Sequence, residues 1–469
     1  MLLPLLIGMI GLLMVGLCLA TRSRIVTDVC LFLTAGSCLG APMWAMSLGP
    51  LPVTLGRLML GGIVIRASWI ALRGQVRIPR PTAIDLTWLG YLAIATLSLA
   101  TTDYAFWDKY PISLWLFYYV LPTMVYVVTR TVEFDSKDLK IAAYVLMAFG
   151  GYLAATSICE ARGWHSIVFP RYIVSEAHEE FFGRGRGPFL NPVANGIAQT
   201  ACLVVGILCW PRVSPLARLG LSAYYFLLLL GIYFTYTRSC WLGCVIAVGL
   251  AVWSLSNWRL RFVVATWGVL ALLIGGLLAV DAMKSFKRDK YVTEAQMAES
   301  VSLRPMLAVV AFEVFQQRPV FGVGLGQYKK WDEEHLTRGK SELPLQKVGG
   351  YVQHNSLLAS LAELGILGFT LHLSFILVCT WQSLQLLRRG QRFLSKAFGV
   401  LSISLIATLA FNSMFHDVTV IDGLRNWLLA FAGFTANLFQ CEVLRPEVEV
   451  TSSVGVTSSG GHQGAPIPS

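Results

Sequence analysis

Charge is what this sequence has least of. Only 13% of its 469 residues are Asp, Glu, Lys or Arg, where a soluble globular chain carries about 25%. The few charges are bunched between long apolar runs, and hydrophobic residues make up 55% of the chain. That pattern excludes an ordinary soluble domain, because each crossing of a hydrocarbon core needs ~20 mostly apolar residues. Metal-site spacings are also missing: there is no DxD, no HExxH and no pair of cysteines at zinc spacing. Cys240 and Cys244 share a helix face, but a lone pair inside a span is not a zinc site. The ten cysteines, Cys18, Cys30, Cys202, Cys209 and Cys379 among them, fall almost wholly within apolar runs. They read as small packing residues, with no disulfide framework.

What is present is an alternation of apolar runs and basic turns. About thirteen spans are expected, near 2–20, 26–46, 53–72, 83–101, 111–129, 140–159, 191–210, 219–237, 239–256, 262–280, 354–380, 397–413 and 423–440. The short segments on one side hold Arg22, Arg24, Arg73, Arg77, Arg80, Arg130, Lys137, Lys140, Arg212, Arg218, Arg259, Arg261, Arg388, Arg389, Arg392 and Lys396. The short segments on the other side, 47–52, 102–110 and 414–422, contain a single basic residue, Lys109. Positive charge collects on the cytoplasmic side, so the N-terminus is expected outside and the C-terminus inside. The net charge of +11 is thereby a signal of topology, and nucleic acid is not an expected partner. The first run, Met1–Ala20, lacks a basic n-region and reads as a retained span, not a signal peptide.

The expected fold is therefore all-α, a polytopic integral membrane protein with 12–13 transmembrane helices. Residues 1–180 form the N-terminal spans and 181–440 the remaining membrane domain. One large extracytoplasmic loop subdomain covers 281–353, with 11 basic and 9 acidic residues. Within it, Ser302-Leu-Arg-Pro305 reads as a helix start, since proline is tolerated in a first turn, and the apolar run Met306–Phe315 as a helix ended by Arg318-Pro319. The tail 441–469 is expected to be a disordered cytoplasmic segment, rich in Ser, Gly, Thr and Pro from about Arg445.

Candidates for chemistry gather on the outer side. Arg238, in Tyr-Thr-Arg-Ser-Cys-Trp at a tight turn, is either an interfacial arginine reaching headgroups or a guanidinium that binds phosphate by paired hydrogen bonds. Arg304 is either a surface charge or, at a helix start, part of a diphosphate site where backbone N–H groups and positive charge add. His354, in Gln-His-Asn-Ser, is either structural or a general base for an attacking hydroxyl. Arg184 and Arg186 in Gly183-Arg-Gly-Arg-Gly187 either clamp an anionic headgroup or lie in a solvated loop. His416 and Asp417 form either an acid–base pair or a polar cap between helices. Gly322-Val-Gly-Leu-Gly326 has no strand before it and no lysine–serine pair after it, so it reads as a turn and not a nucleotide site. Arg57 and Arg66, inside the third span, are expected to be structural and to need partners there.

Read in order, these segments resemble the O-antigen ligase and polymerase superfamily. The pieces are Gly187-Pro-Phe-Leu-Asn-Pro192, Thr237-Arg238-Ser239, an arginine-led helix at Arg304, Pro319-Val-Phe-Gly-Val-Gly-Leu-Gly326, His354-Asn355, and Glu363-Leu-Gly-Ile-Leu-Gly368. Each is weak alone; the ordered set, over roughly residues 185–370, is more specific. The family turn usually has serine before the arginine, where this chain has Thr237.

The resemblance implies a glycosyltransferase at the outer face of the plasma membrane that moves a glycan from an undecaprenyl-diphosphate-linked donor to a glycan, lipid or protein acceptor, without metal or other cofactor. It implies that Arg238 and Arg304 hold the donor diphosphate and that His354 is the base, giving inversion at the anomeric carbon. Arg184, Arg186, Asn191 and Asn355 would contact substrate. Ligase, as in lipopolysaccharide assembly, and polymerase, as in exopolysaccharide assembly, both fit. A transporter or flippase of a lipid-linked anion would use the same arginines but have no need of a base at His354. It would also place ionisable residues near the bilayer midplane, whereas these gather at one surface.

Overall fold

The computed structural model describes residues 24–48, 51–74, 79–102, 111–133, 135–178, 180–257, 294–331 and 354–444. The expected spans at 2–20 and 262–280, most of the loop 281–353, the tail from Arg445, and Arg22, Arg77, Lys109, Arg259 and Arg261 lie outside these residues. The described chain is helical apart from one small hairpin, β1 (Ala45–Leu48) with β2 (Leu51–Thr54). The helices are α1 (Ile25–Cys38), α2 (Leu55–Leu72), α3 (Ala83–Ser98), α4 (Pro111–Thr131, with a π-helical turn at Leu116–Val120), α5 (Ser136–Arg162) and α6 (Pro192–Cys209). They continue with α7 (Pro215–Tyr233), α8 (Arg238–Leu255), α9 (Glu294–Gln317), α10 (Ser356–Arg389), α11 (Phe393–Ser413) and α12 (Leu424–Glu442). Nine of the described helices are long and apolar enough to cross a membrane, and the protein is an all-α, polytopic membrane protein.

Local signals set many helix ends. Asp135 and Asp138 form a capping box at the start of α5, and left-handed Gly163 (φ 75°) closes its end. Ser214 before Pro215 starts α7, and Asn191 before Pro192 starts α6. The run expected to span 26–46 ends early, at Cys38. There the α2 residue Gly56 donates its amide to the Leu39 carbonyl at 3.0 Å. A Cβ on Gly56 would stand 2.9 Å from the Gly36 carbonyl oxygen. The close crossing of α1 and α2 fixes the break, and residues 45–54 turn back as the hairpin.

Two helices form the centre. In α6 and α11, 83% and 78% of the apolar window is buried inside the protein, against 22% in α2 and α7, whose apolar surface is left largely uncovered. In lipid there is no hydrophobic drive between helices, so small residues and short hydroxyls do the joining. Gly196 of α6 lies against Cys240 of α8, where a Cβ would come within 2.7 Å of the sulfur. Thr408 and Ser404 of α11 donate to the α8 carbonyls of Gly243 and Ala247 at 3.3 and 3.2 Å. The nine described cysteines are free, and all but the exposed Cys441 are at least partly buried.

Contacts sort the loops onto two ends of the bundle. At one end Arg24 pairs with Asp135 and Asp138, and Arg130 bonds Asp85, Gln440 and the Arg80 carbonyl. Arg392 pairs with Glu442 and Arg212 lies over Phe393 at the same end. These are the basic turns of the sequence. At the other end Tyr172 donates to the Cys38 and Pro188 carbonyls, and Tyr118 donates to Asp422 at 2.7 Å. Arg66 meets the buried carboxylate of Asp28, the partner an intramembrane arginine needs.

Candidate functional site

The sparsely charged end of the bundle carries the candidates, and the glycine–arginine loop builds its floor. Arg186 is 1% exposed and donates to the carbonyls of Ile173, His178 and Glu180. Its Nε lies 3.7 Å from the buried Glu160 carboxylate, which also accepts the Gly187 amide at 2.8 Å. Arg184 is buried too, donating to the Thr235 carbonyl at 3.1 Å and the Thr237 hydroxyl at 2.5 Å. Asn195 grips Ser157 and the Gly185 carbonyl, each at 2.8 Å. The expected clamp of Arg184 and Arg186 is thereby corrected. Their donors are committed to backbone carbonyls, the Thr237 hydroxyl and the Glu160 carboxylate, because a buried guanidinium must be saturated, and they hold the loop in place.

That floor shapes the turn that presents Arg238. Tyr236 takes a left-handed conformation (φ 49°) and Thr237 stands at the N-cap position without a side-chain capping bond, so that Arg238 is the first residue of α8. The Arg238 Nε is buried and has no hydrogen-bond partner among the described residues. The combination of a helix N-terminus and a free guanidinium edge favours an anion.

The same combination had been expected at Arg304, and there it fails. Helix α9 runs Glu294–Gln317 with Pro305 in its interior, so Arg304 sits mid-helix and no free N–H groups surround it. It still points toward the site, with its guanidinium 5.5 Å from the Phe415 ring centroid. Burial, and next the charge of Arg238, hold it below the ordinary guanidinium range, though it stays charged. The helix ends at Arg318-Pro319 as expected.

A backbone joint locks α9 to α10. The glycine-rich turn 319–326 pairs with a kink in α10: the Val323 and Gly324 amides donate to the Ala362 and Glu363 carbonyls, both at 3.0 Å, and the Ile366 amide donates to the Pro319 carbonyl at 2.8 Å. Gly365 has φ 67° at the kink. The two glycine motifs are the two halves of this joint. Leu307, Val310 and Val314 of α9 pack with Ala362 and Tyr328 beneath it.

His354 stands two residues before α10, in a left-handed conformation (φ 45°) that costs a side-chain-bearing residue energy. Asn355 caps α10, its Oδ1 accepting the Leu357 and Leu358 amides at 3.0 Å. Asn191 caps α6 in the same manner. Both asparagines are helix caps at the site's edge. Ser356 accepts the Val418 amide at 3.0 Å, which docks the α11–α12 turn beside His354. Asp417 caps that turn through Thr419. Burial and the Arg304 charge push the His354 imidazole below its ordinary value, against a smaller opposing pull from Asp417. A neutral imidazole can accept a proton.

His354 also opens onto a cavity of about 520 Å³. Its wall includes Asn191, His416 and Asp417, together with Arg57, Tyr118, Asp422, Arg425 and Asn426. Arg57 lies over the Phe117 ring at 3.4 Å, and Arg425 donates to the Tyr118 carbonyl at 2.7 Å and lies 4.3 Å from the Tyr119 centroid. The signal that could have found them was present, since an arginine inside an apolar span marks a site by default. Arg57 has the partners expected of a structural arginine, the Pro52 carbonyl and the Phe117 ring, and lines the cavity as well; Arg425 is not among the candidates of the sequence analysis. Arg238 and Arg304 are not part of the cavity wall.

The fold and site thus define a polytopic membrane protein with a cationic, histidine-bearing centre at one end of its bundle. Residues 223–373 match the O-antigen ligase family model, a likeness to that family confined to this stretch of the chain. The matched stretch contains Arg238, Arg304, His354 and the joint between α9 and α10, and leaves Arg57, Arg184, Arg186 and Arg425 outside it. No curated protein matches the chain.

Proposed function

We propose that the protein transfers or polymerises a glycan from an undecaprenyl-diphosphate-linked donor onto an acceptor hydroxyl at the outer face of the plasma membrane. The observation that carries this reading is the grouping of Arg238, Arg304 and His354, with the Arg238 charge felt at Arg304 and the Arg304 charge felt at His354. Arg238 and Arg304 hold the diphosphate and stabilise the charge it gains as the anomeric C–O bond breaks. His354 takes the proton of the attacking hydroxyl as the new glycosidic bond forms. Attack from the side opposite the leaving group inverts the anomeric centre. The outer-face part of the reading is supported by the charge rule, under which the basic turns at the opposite end of the bundle face the cytoplasm.

The test is glycan transfer by purified full-length protein in liposomes, with an undecaprenyl-diphosphate oligosaccharide as donor and chelator present. Wild type and His354→Ala are compared at equal folded yield. Product from wild type and a loss of about 10²–10⁴-fold in the variant is the expected result, and product length separates ligase from polymerase. Equal rates would remove His354 as base. Donor binding without product from either protein, across several acceptors, would favour transport.

A further inference from the structure

We propose that the cavity between α1, α2, α4 and the α11–α12 turn is a saccharide-binding acceptor pocket, separate from the diphosphate site; this rests on the transfer reading above. Three observations carry it. First, His354 lines the cavity while Arg238 and Arg304 do not, yet Arg304 is near enough to His354 to perturb it. The imidazole therefore stands between the two cations and the cavity. A base must touch the nucleophile, and the nucleophile must approach from the side away from the leaving diphosphate, so the hydroxyl belongs in the cavity.

Second, the wall offers unused and pre-aligned polar groups. Asn426 Oδ1 is buried with no hydrogen-bond partner among the described residues, an acceptor that a hydroxyl would satisfy. Tyr118 already donates to Asp422 at 2.7 Å, which leaves the second carboxylate oxygen of Asp422, at the exposed rim, to accept from sugar hydroxyls. Arg57 and Asp422 both line the cavity, and opposite charges in one wall suit a neutral polyol better than an anion. Third, Phe181 and Phe189 supply apolar ring surface to the wall. A volume of about 520 Å³ falls within the ~300–1,000 Å³ of small-molecule pockets and suits one or two sugar rings, not a lipid chain.

The experiment measures two bindings to the full-length protein in detergent, each with no turnover. The probes are undecaprenyl diphosphate without sugar, and a panel of mono- and disaccharides of glucose, galactose, rhamnose, N-acetylglucosamine and heptose followed by saturation-transfer NMR. Asp422→Asn and Asn426→Ala are expected to weaken binding of at least one saccharide about tenfold, the weight of one hydrogen bond. Arg238→Ala is expected to weaken undecaprenyl diphosphate and leave the saccharide bound. Tyr118→Phe, which removes one hydroxyl, stands in if either first variant fails to fold. Saccharide binding that survives both wall variants, or that is absent from wild type, overturns the pocket and leaves the transfer reading standing. Saccharide binding lost in Arg238→Ala overturns the separation, because the cavity would then hold the donor's own glycan. Undecaprenyl diphosphate binding untouched by Arg238→Ala sinks the donor assignment and removes the argument for an acceptor pocket with it.

Discussion

Gly322 and Gly365 face each other across the joint between α9 and α10, so closely that a Cβ on Gly365 would lie 2.6 Å from the Gly322 amide nitrogen. A Cβ on Gly322 would overlap the backbone of Glu363. Through this pair the helix bearing Arg304 is held in register with the residue that bears the imidazole.

Gly365→Ala should therefore cost about 2–4 kcal/mol, from overlap and from a left-handed backbone together, and should lower transfer further than the loss of folded protein explains. Gly151→Ala in α5, whose nearest neighbour would be 4.0 Å away, should be neutral or slightly stabilising, because alanine is the better helix former. Thermal unfolding in detergent read beside turnover checks both. Equal stability of the two variants would mean that the joint is soft.

The pH profile of transfer should place its acid limb below the ordinary histidine range, because burial and Arg304 hold His354 low. The base works when neutral, so activity is lost as pH falls through that value. Arg304→Gln removes a positive neighbour and should move the limb to higher pH, while Asp417→Asn removes a negative one and should move it lower. The position of the limb is read independently of the height of the profile. A limb that stays put in both variants would detach His354 from the pH dependence.

Arg238 and Arg304 should differ in how they tolerate lysine. Arg238 begins α8 with an unpartnered Nε, a geometry for paired hydrogen bonds, so Arg238→Lys should cost nearly as much as Arg238→Ala, about 10²-fold in turnover. Arg304, mid-helix and surrounded by side chains, acts as a point charge, and Arg304→Lys should keep a substantial fraction. Steady-state rates at saturating donor decide this, and the reverse ranking would exchange the two roles.

Arg186→Ala should act on folding, not on substrate. It leaves Glu160 buried without its partner and three carbonyls without their donor, a loss of about 3–5 kcal/mol. Low folded yield is expected, with an ordinary donor KM in whatever folds. Normal stability with a strongly raised KM would return Arg186 to the substrate.

The bundle was legible in the sequence because lipid imposes one simple rule, long apolar runs broken by basic turns. Runs such as 191–210 and 397–413 accordingly fell on helices. The early end of α1 was not legible, since it depends on Gly36 and Gly56 meeting across two helices. At the site, positions were legible where a turn opens a span, as with Arg238 at the start of α8 and His354 just before α10. The site was misread where a motif spends its chemistry on the fold: Arg184 and Arg186 look like an anion clamp until the carbonyls of Ile173 and Thr235 are seen to occupy them. Arg304 was placed at a helix start because proline at the next position usually means one. Arg57, Asp422 and Arg425 come from the two ends of the chain and meet only in three dimensions.

The kink at Gly365 also sets a depth. Beyond it, the stretch from Ile366 to Arg389 rises about 36 Å at ~1.5 Å per residue, enough to cross the ~30 Å hydrocarbon layer with some tilt. With that stretch filling the hydrocarbon, the short piece before it, Ser356–Leu364, would stand above the layer and lift His354 into the headgroup zone. A diphosphate on a polyprenyl tail sits at that height without leaving the leaflet. The same imidazole would be out of reach of a hydroxyl buried among acyl chains, and a soluble donor would arrive with no tail to hold it at this level. Selection for a lipid-borne donor would then be a matter of altitude, set by one glycine.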